Sequence, residues 1–203
     1  MFTKAIVKKP CRAIVSGITT AQLGLPDYEN ALRQHAAYVE ALKSCGLQVT
    51  ELEADEHFPD STFVEDAALM TPHCAIITNP GAASRTEETQ AMRPVIERFY
   101  DTVEAIQAPG TVEAGDIMMV DDHFYIGLSE RTNAEGARQM IAILEKYGMT
   151  GSTVTMSEVL HLKTGLGYLE GNKLLACGEF LTKPEFSKYH ILEVDSAEAY
   201  AAN

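Results

Sequence analysis

The sequence predicts an α/β fold built from repeated strand–strand–helix–strand units. Three observations carry this. Short apolar runs with strand character come in pairs joined by tight turns. A stretch with apolar residues at helical spacing follows, then a further strand. The pattern recurs at a spacing of roughly 45–50 residues, which marks a repeat architecture.

The clearest unit lies near residues 112–156. Asp116 to Val120 and His123 to Gly127 read as a hairpin across the turn Asp121-Asp122. Thr132-Asn133-Ala134-Glu135 reads as a capping box, with the Thr hydroxyl and Glu carboxylate satisfying free N–H groups. Met140, Ile141, Leu144 and Tyr147 then form one helical face, Gly148 stops the helix, and Ser152 to Met156 is the closing strand. The preceding unit runs from about residue 62 to 108. Its strands are Asp66 to Met70 and Cys74 to Thr78, and Ser84-Arg85-Thr86-Glu87 is a second capping box. Met92, Val95, Ile96 and Phe99 make its helical stripe, which Pro94 should kink or interrupt, and Val103 to Gln107 closes it.

A later unit has Gly165 to Glu170 and Lys173 to Cys177 as its hairpin, a short helix around Pro184 to Lys188, and a strand from Tyr189 to Val194. The first unit is incomplete at its start. Thr3 to Lys8 is a strand, and Asp27 caps a helix with Tyr28, Leu32, His35, Val39 and Leu42 on one face. Gly46 stops that helix and Gln48 to Glu53 is its partner strand. The stretch Ser196 to Asn203 is acidic and alanine-rich, with no clear closing element.

The composition bounds the function. The 203 residues carry a net charge of −13, which argues against a nucleic-acid partner, because phosphate binding needs a basic face. No apolar run approaches the ~18 residues of a membrane span, so no membrane partner is expected. There is no secretory leader pattern, and the expected location is the cytoplasm. Cys11, Cys45, Cys74 and Cys177 form no C-x-x-C pair, and the six histidines have no metal spacing. Cys45, Cys74 and Cys177 sit in apolar settings and read as buried free thiols.

The repeats also place polar residues at equivalent positions. Val64-Glu65-Asp66, Val112-Glu113-Ala114-Gly115-Asp116 and His161-Leu162-Lys163-Thr164-Gly165 each lead into the first strand of a unit. Equivalent positions of successive repeats converge, so Glu65, Asp66, Glu113, Asp116 and His161 should share one pocket. Carboxylates converging with one histidine suit a planar cation such as a guanidinium, which they grip through paired N–H bonds. A carboxylate bonded to the histidine also fixes its tautomer and raises its pKa.

These segments, with Phe58-Pro59-Asp60-Ser61 and Ala108-Pro109-Gly110-Thr111, resemble the guanidine-modifying (amidinotransferase, or pentein) superfamily. Within it, Ser129 to Leu144 is most similar to the bacterial dimethylarginine dimethylaminohydrolase branch. The resemblance spans essentially the whole chain. It implies one domain over residues 1–203 and a five-bladed α/β propeller of ββαβ units, with the last unit missing from this chain. It implies hydrolysis of a small-molecule substrate, methylated arginine, to citrulline and a methylamine. No metal or organic cofactor is implied, and a homodimer is compatible with it. His161 matches the general acid/base and Glu113 the acid that orients it. Asp66 matches the guanidinium-gripping carboxylate and Glu65 a neighbouring pocket acid. Asp60 and the backbone carbonyl of Ile18 match groups near the α-amino end of the substrate. Arg85 and Arg131 match the pair that binds its α-carboxylate. The family nucleophile is a cysteine of the last unit, so it is expected beyond residue 203, and the chain as given is expected to be inactive. An arginine deiminase-type enzyme, a nucleophile-less arginine-binding protein and an unstable fragment are the alternative readings.

Overall fold

A computed structural model describes residues 2–19 and 24–202. The chain is a mixed α/β protein with two compact units, residues 1–64 and 65–203. Among the described residues, no helix is long and apolar enough to cross a membrane.

In the first unit, β1 (Lys4–Lys8) and β2 (Gln48–Leu52) pair in parallel through helix α1 (Tyr28–Ser44). A parallel pair needs such a crossover, because a tight turn can only reverse the chain. The Asp27 side chain accepts the Asn30 N–H and starts α1, and Gly46, at φ 84°, follows its end. The predicted apolar face is its less exposed side, with Val39 buried. Cys45, expected to be buried, is exposed, because the helix ends there and leaves it on the outer turn.

Among the described residues, the second unit contains three sheets of three strands with the same connectivity. They are β3 (Ala68–Met70), β4 (Ala75–Ile77) and β5 (Val103–Ala105); β6 (Ile117–Val120), β7 (His123–Leu128) and β8 (Thr150–Thr155); and β9 (Leu166–Leu169), β10 (Lys173–Ala176) and β11 (His190–Glu193). In each, an antiparallel hairpin is followed by a parallel return strand that pairs with the second strand of the hairpin. Helix α2 (Thr86–Ile96) makes the first return and α3 (Ala134–Lys146) the second. The third uses short 3-10 turns, including Pro184–Phe186. The hairpin turns adopt left-handed backbone at Asp121 and at Gly171-Asn172, as tight turns between twisted strands require.

The sheet β6-β7-β8 is buried on both faces. Ile117, Phe124 and Ile126 point to one cluster, shared with Met140 and Leu144 of α3. The alternate residues Met118 and Tyr125 point to another, shared with Leu166, Leu174, Phe180 and Phe186. Double burial explains why Ile-Met-Met-Val reads as a continuous apolar run instead of an alternating one. Phe124 is fully buried, and truncating it to Ala should cost roughly 3–5 kcal/mol.

Both expected capping boxes are built differently. The cap of α3 is Asn133, whose side chain accepts the Gly136 N–H, while the Thr132 hydroxyl is drawn to the buried Asp116 carboxylate. The hydroxyl donates to that carboxylate while its oxygen accepts the Glu113 N–H, so its lone pair is committed to the site and not to the helix. The start of α2 has no side-chain cap, because Ala83–Arg85 forms a 3-10 turn that runs directly into it. Pro94 lies inside α2, which ends two residues later at Ile96 and leaves Phe99 beyond it. The stretch Ser196–Ala202 is a 3-10 segment kinked at Glu198, and Asn203 lies outside the described residues.

Candidate active site

Three 3-10 turns build the site in the second unit, each entering the first strand of a sheet. Asp66 lies in the turn Val64–Ala67 before β3. Glu113 precedes the turn Ala114–Asp116 before β6, and His161 precedes the turn Leu162–Thr164 before β9. A tight turn at a strand entry holds its side chains on a rigid frame, which suits catalytic geometry.

One carboxylate oxygen each of Asp66 and Glu113 and one ring nitrogen of His161 lie within 4.8 Å of one another. The set is close enough to hold a metal ion, and equally to accept the N–H groups of a small cation. Asp66 is 7% exposed, and its Oδ1 accepts the Gly115 N–H at 2.9 Å. Glu113 is 2% exposed, and its Oε1 accepts the Ala82 N–H at 3.1 Å. Its other oxygen lies 3.5 Å from His161 Nε2. Arg131 reaches to 3.9 Å from Glu113 Oε1.

Burial pushes the Glu113 carboxyl above its usual range; the Ala82 N–H and the His161 and Arg131 charges oppose this, and Asp66 adds to it. Burial pulls the His161 imidazole down. The carboxylates of Asp116, Asp66 and Glu113 outweigh that and hold it above the ordinary histidine value.

The remaining residues are placed as follows. Arg85 is 5% exposed, its guanidinium taken by Asp66 at 2.5 Å and by Glu88 at 2.8 Å. Burial disfavours its charge, but the two carboxylates reverse that and raise its pKa. Glu65 is exposed, and its carboxylate pairs with Lys163. In the first unit, Asp60 is buried and accepts the Ile18 N–H at 3.0 Å. A side chain at Gly17 would put its Cβ 2.6 Å from that carboxylate, so the glycine allows the close approach.

The sequence marks no role for Glu88, and none for Asp116 beyond membership of the pocket. A Glu in the first turn of a helix ordinarily faces water. The signal available for Glu88 was its place in the row Glu88, Met92 and Ile96, which proves to be buried. Of the cysteines in this unit, Cys74 is packed against Thr71 and Cys177 faces the Ala199 carbonyl. Burial pushes the Cys74 thiol up, away from the nucleophilic thiolate.

The family model for N,N dimethylarginine dimethylhydrolase, eukaryotic, matches residues 25–186. The chain belongs to the dimethylarginine dimethylaminohydrolase family. The N(G),N(G)-dimethylarginine dimethylaminohydrolase of Pseudomonas aeruginosa is 60% identical over all of this chain and 80% of its own length. The enzyme of the same name from Streptomyces coelicolor is 34% identical over 93% of this chain and 78% of its own. A solved structure of the Pseudomonas aeruginosa protein, a cysteine-to-serine variant complexed with citrulline, superimposes with a TM-score of 0.99 at 60% identity, covering 100% of this chain and 80% of that one. The N-terminal domain of ArgZ, at 16% identity and a TM-score of 0.85 over 98% of this chain and 78% of that one, shares the fold.

Proposed function

We propose that this protein hydrolyses methylated arginine to citrulline and a methylamine through a covalent thiol intermediate. The observation that carries the reading is the buried convergence of Asp66, Glu113 and His161 within 4.8 Å, in a chain of this family. The carboxylates grip the guanidinium, and the thiolate attacks its central carbon. As the new C–S bond forms, the C–N bond to the methylated nitrogen breaks, and His161 gives that nitrogen a proton. His161 then takes a proton from water, whose oxygen attacks the same carbon. The added hydroxyl loses its proton to solvent as the carbonyl forms, the C–S bond breaks, citrulline leaves and the thiolate is regenerated.

The substrate's α-carboxylate falls to Arg131 and Arg85. Arg85 must then share a charge that Asp66 and Glu88 already engage. Glu65 serves as an outer acid of the pocket. The ββαβ sheets are read as blades of a propeller that is five-fold when complete. The thiolate is not Cys74 or Cys177, whose packing commits them to the interior, nor Cys11 or Cys45. It comes from a cysteine outside residues 1–203, in keeping with relatives that this chain spans to 80% and 78% of their length.

The test is a citrulline assay with dimethylarginine and with arginine, on residues 1–203 and on the polypeptide extended through its coding sequence. The extended form should release alkylamine from dimethylarginine at the higher kcat/KM, and residues 1–203 alone should form no citrulline. Faster ammonia release from arginine would replace this reading with a deiminase. Citrulline formation by residues 1–203 that disappears in Cys74→Ser or Cys177→Ser would overturn the assignment of the nucleophile.

A further inference from the structure

Asp116 is the only carboxylate of the cluster with no exposed surface at all. Its Oδ2 accepts the Ser129 and Thr132 hydroxyls, each at 2.7 Å, and its Oδ1 accepts the Leu162 N–H at 3.1 Å. Each donor is itself tied to a neighbouring site residue. Leu162 directly follows His161 in the chain. The Thr132 hydroxyl oxygen accepts the Glu113 N–H, and the Ser129 hydroxyl oxygen accepts the Arg131 N–H. One buried carboxylate therefore gathers the backbone around His161, Glu113 and Arg131.

The same Oδ1 lies 3.2 Å from His161 Nδ1, within reach of a hydrogen bond that the ring orientation does not complete. Nδ1 is buried and has no other hydrogen-bond partner among the described residues. We propose that Asp116 is a positioning residue that keeps the proton of neutral His161 on Nδ1, leaving Nε2 as the nitrogen that exchanges protons with the reacting groups. The physical reason is the inventory of lone pairs. Either neutral tautomer turns one bare lone pair toward a carboxylate, and the nearer, fully enclosed one is Asp116, 3.2 Å from Nδ1 against 3.5 Å from Nε2 to Glu113, so the acceptor-against-acceptor contact costs most with the proton on Nε2. With the proton on Nδ1, a small ring rotation completes a charge-assisted hydrogen bond. Nε2 then points toward Glu113, 3.5 Å away, where an imidazolium proton finds its acceptor.

This inference rests on the reading of His161 as the acid/base, but its primary test does not require turnover. Long-range proton–nitrogen correlation spectra of residues 1–203, labelled with nitrogen-15 and recorded well above the His161 midpoint, identify the tautomer. The Nδ1–H form should dominate in the wild type. In Asp116→Asn, whose amide can donate to Nδ1, the balance should move to Nε2–H. Ser129→Ala keeps the carboxylate but loosens it, and should give a smaller move in the same direction; it also serves if Asp116→Asn does not fold. A wild-type Nε2–H tautomer, or a balance unmoved in a folded Asp116→Asn, overturns the proposal. In the extended, active form, Asp116→Asn should lower kcat by about 10²-fold, within the ~10²–10⁴-fold that general acid–base catalysis contributes, with KM little changed. A rise in KM at constant kcat would overturn the positioning role. Absence of any methylarginine hydrolysis by the extended wild type would instead sink the functional reading and leave the tautomer result standing.

Discussion

Arg85 donates a hydrogen bond to Asp66 at 2.5 Å, and both side chains are buried. The group proposed to hold the ligand's guanidinium thus already holds a guanidinium from the protein. Asp66 is oriented by this contact and by the Gly115 N–H before any ligand arrives, which lowers the cost of ordering it on binding.

Asp66→Ala should weaken methylarginine binding. A charge-assisted hydrogen bond contributes roughly 1.5–3 kcal/mol, which corresponds to about tenfold to a hundredfold in affinity. Isothermal titration of residues 1–203 with monomethylarginine measures it. Unchanged affinity in a folded variant would remove Asp66 from the binding site.

Glu88→Ala should destabilise the fold. Glu88 meets Arg85 through both Nε and the terminal nitrogen, and removing one partner of a buried ion pair costs roughly 3–5 kcal/mol. Asp66 still compensates the arginine, so the loss should fall near the lower end. Urea melts give the value, and a change under about 0.5 kcal/mol, the range of ordinary surface substitutions, would show that the pair is not buried as described.

Two glycine substitutions should separate site from scaffold. A Cβ at Gly115 would come within 2.8 Å of Asp66 Oδ1 and 3.1 Å of the His161 ring, so Gly115→Ala should impair ligand binding first. A Cβ at Gly136 in α3 would lie 2.0 Å from the Thr111 carbonyl oxygen, a backbone atom. Gly→Ala inside a helix ordinarily stabilises by ~1 kcal/mol. Here Gly136→Ala should destabilise by about 1–3 kcal/mol instead, as overpacking does. Thermal melts and titrations of both variants check the pair, and a stabilised Gly136→Ala would contradict the close packing of α3 on Thr111.

Stability should fall as pH rises across the range where the two shifted groups titrate. The His161 pKa is raised above 6.5, so the folded state holds that proton more tightly. Its contribution is full below about pH 6.5 and is lost as pH climbs through the folded value. Glu113 is raised above 4.5, so its ionisation weakens the fold from about pH 4.5 up to its own folded value. Denaturant melts of wild type and His161→Gln across this range should differ most in acid and converge in base. Parallel curves would show that the carboxylates around His161 do not favour its proton.

Much of this protein was legible in the chain. The two-residue turns, the caps and stops of α1, and the apolar faces of α1 and α3 are local features, set by the backbone preferences of Asp, Asn and Gly and by side-chain spacing. Repetition of the strand–strand–helix–strand pattern made Asp66, Glu113, Asp116 and His161 equivalent, and so brought them to one place on paper before any contact was known. What only the tertiary structure decided were the contests between partners. The Thr132 oxygen could have accepted a helix N–H, but it accepts the Glu113 N–H while its hydroxyl donates to Asp116. Glu88 could have faced water, but Arg85 drew it inside. Glu65, one residue from Asp66, turned outward to Lys163. Sequence spacing states which groups come near one another; which donor meets which acceptor depends on how much water each would lose, and burial is settled only when the distant segments pack.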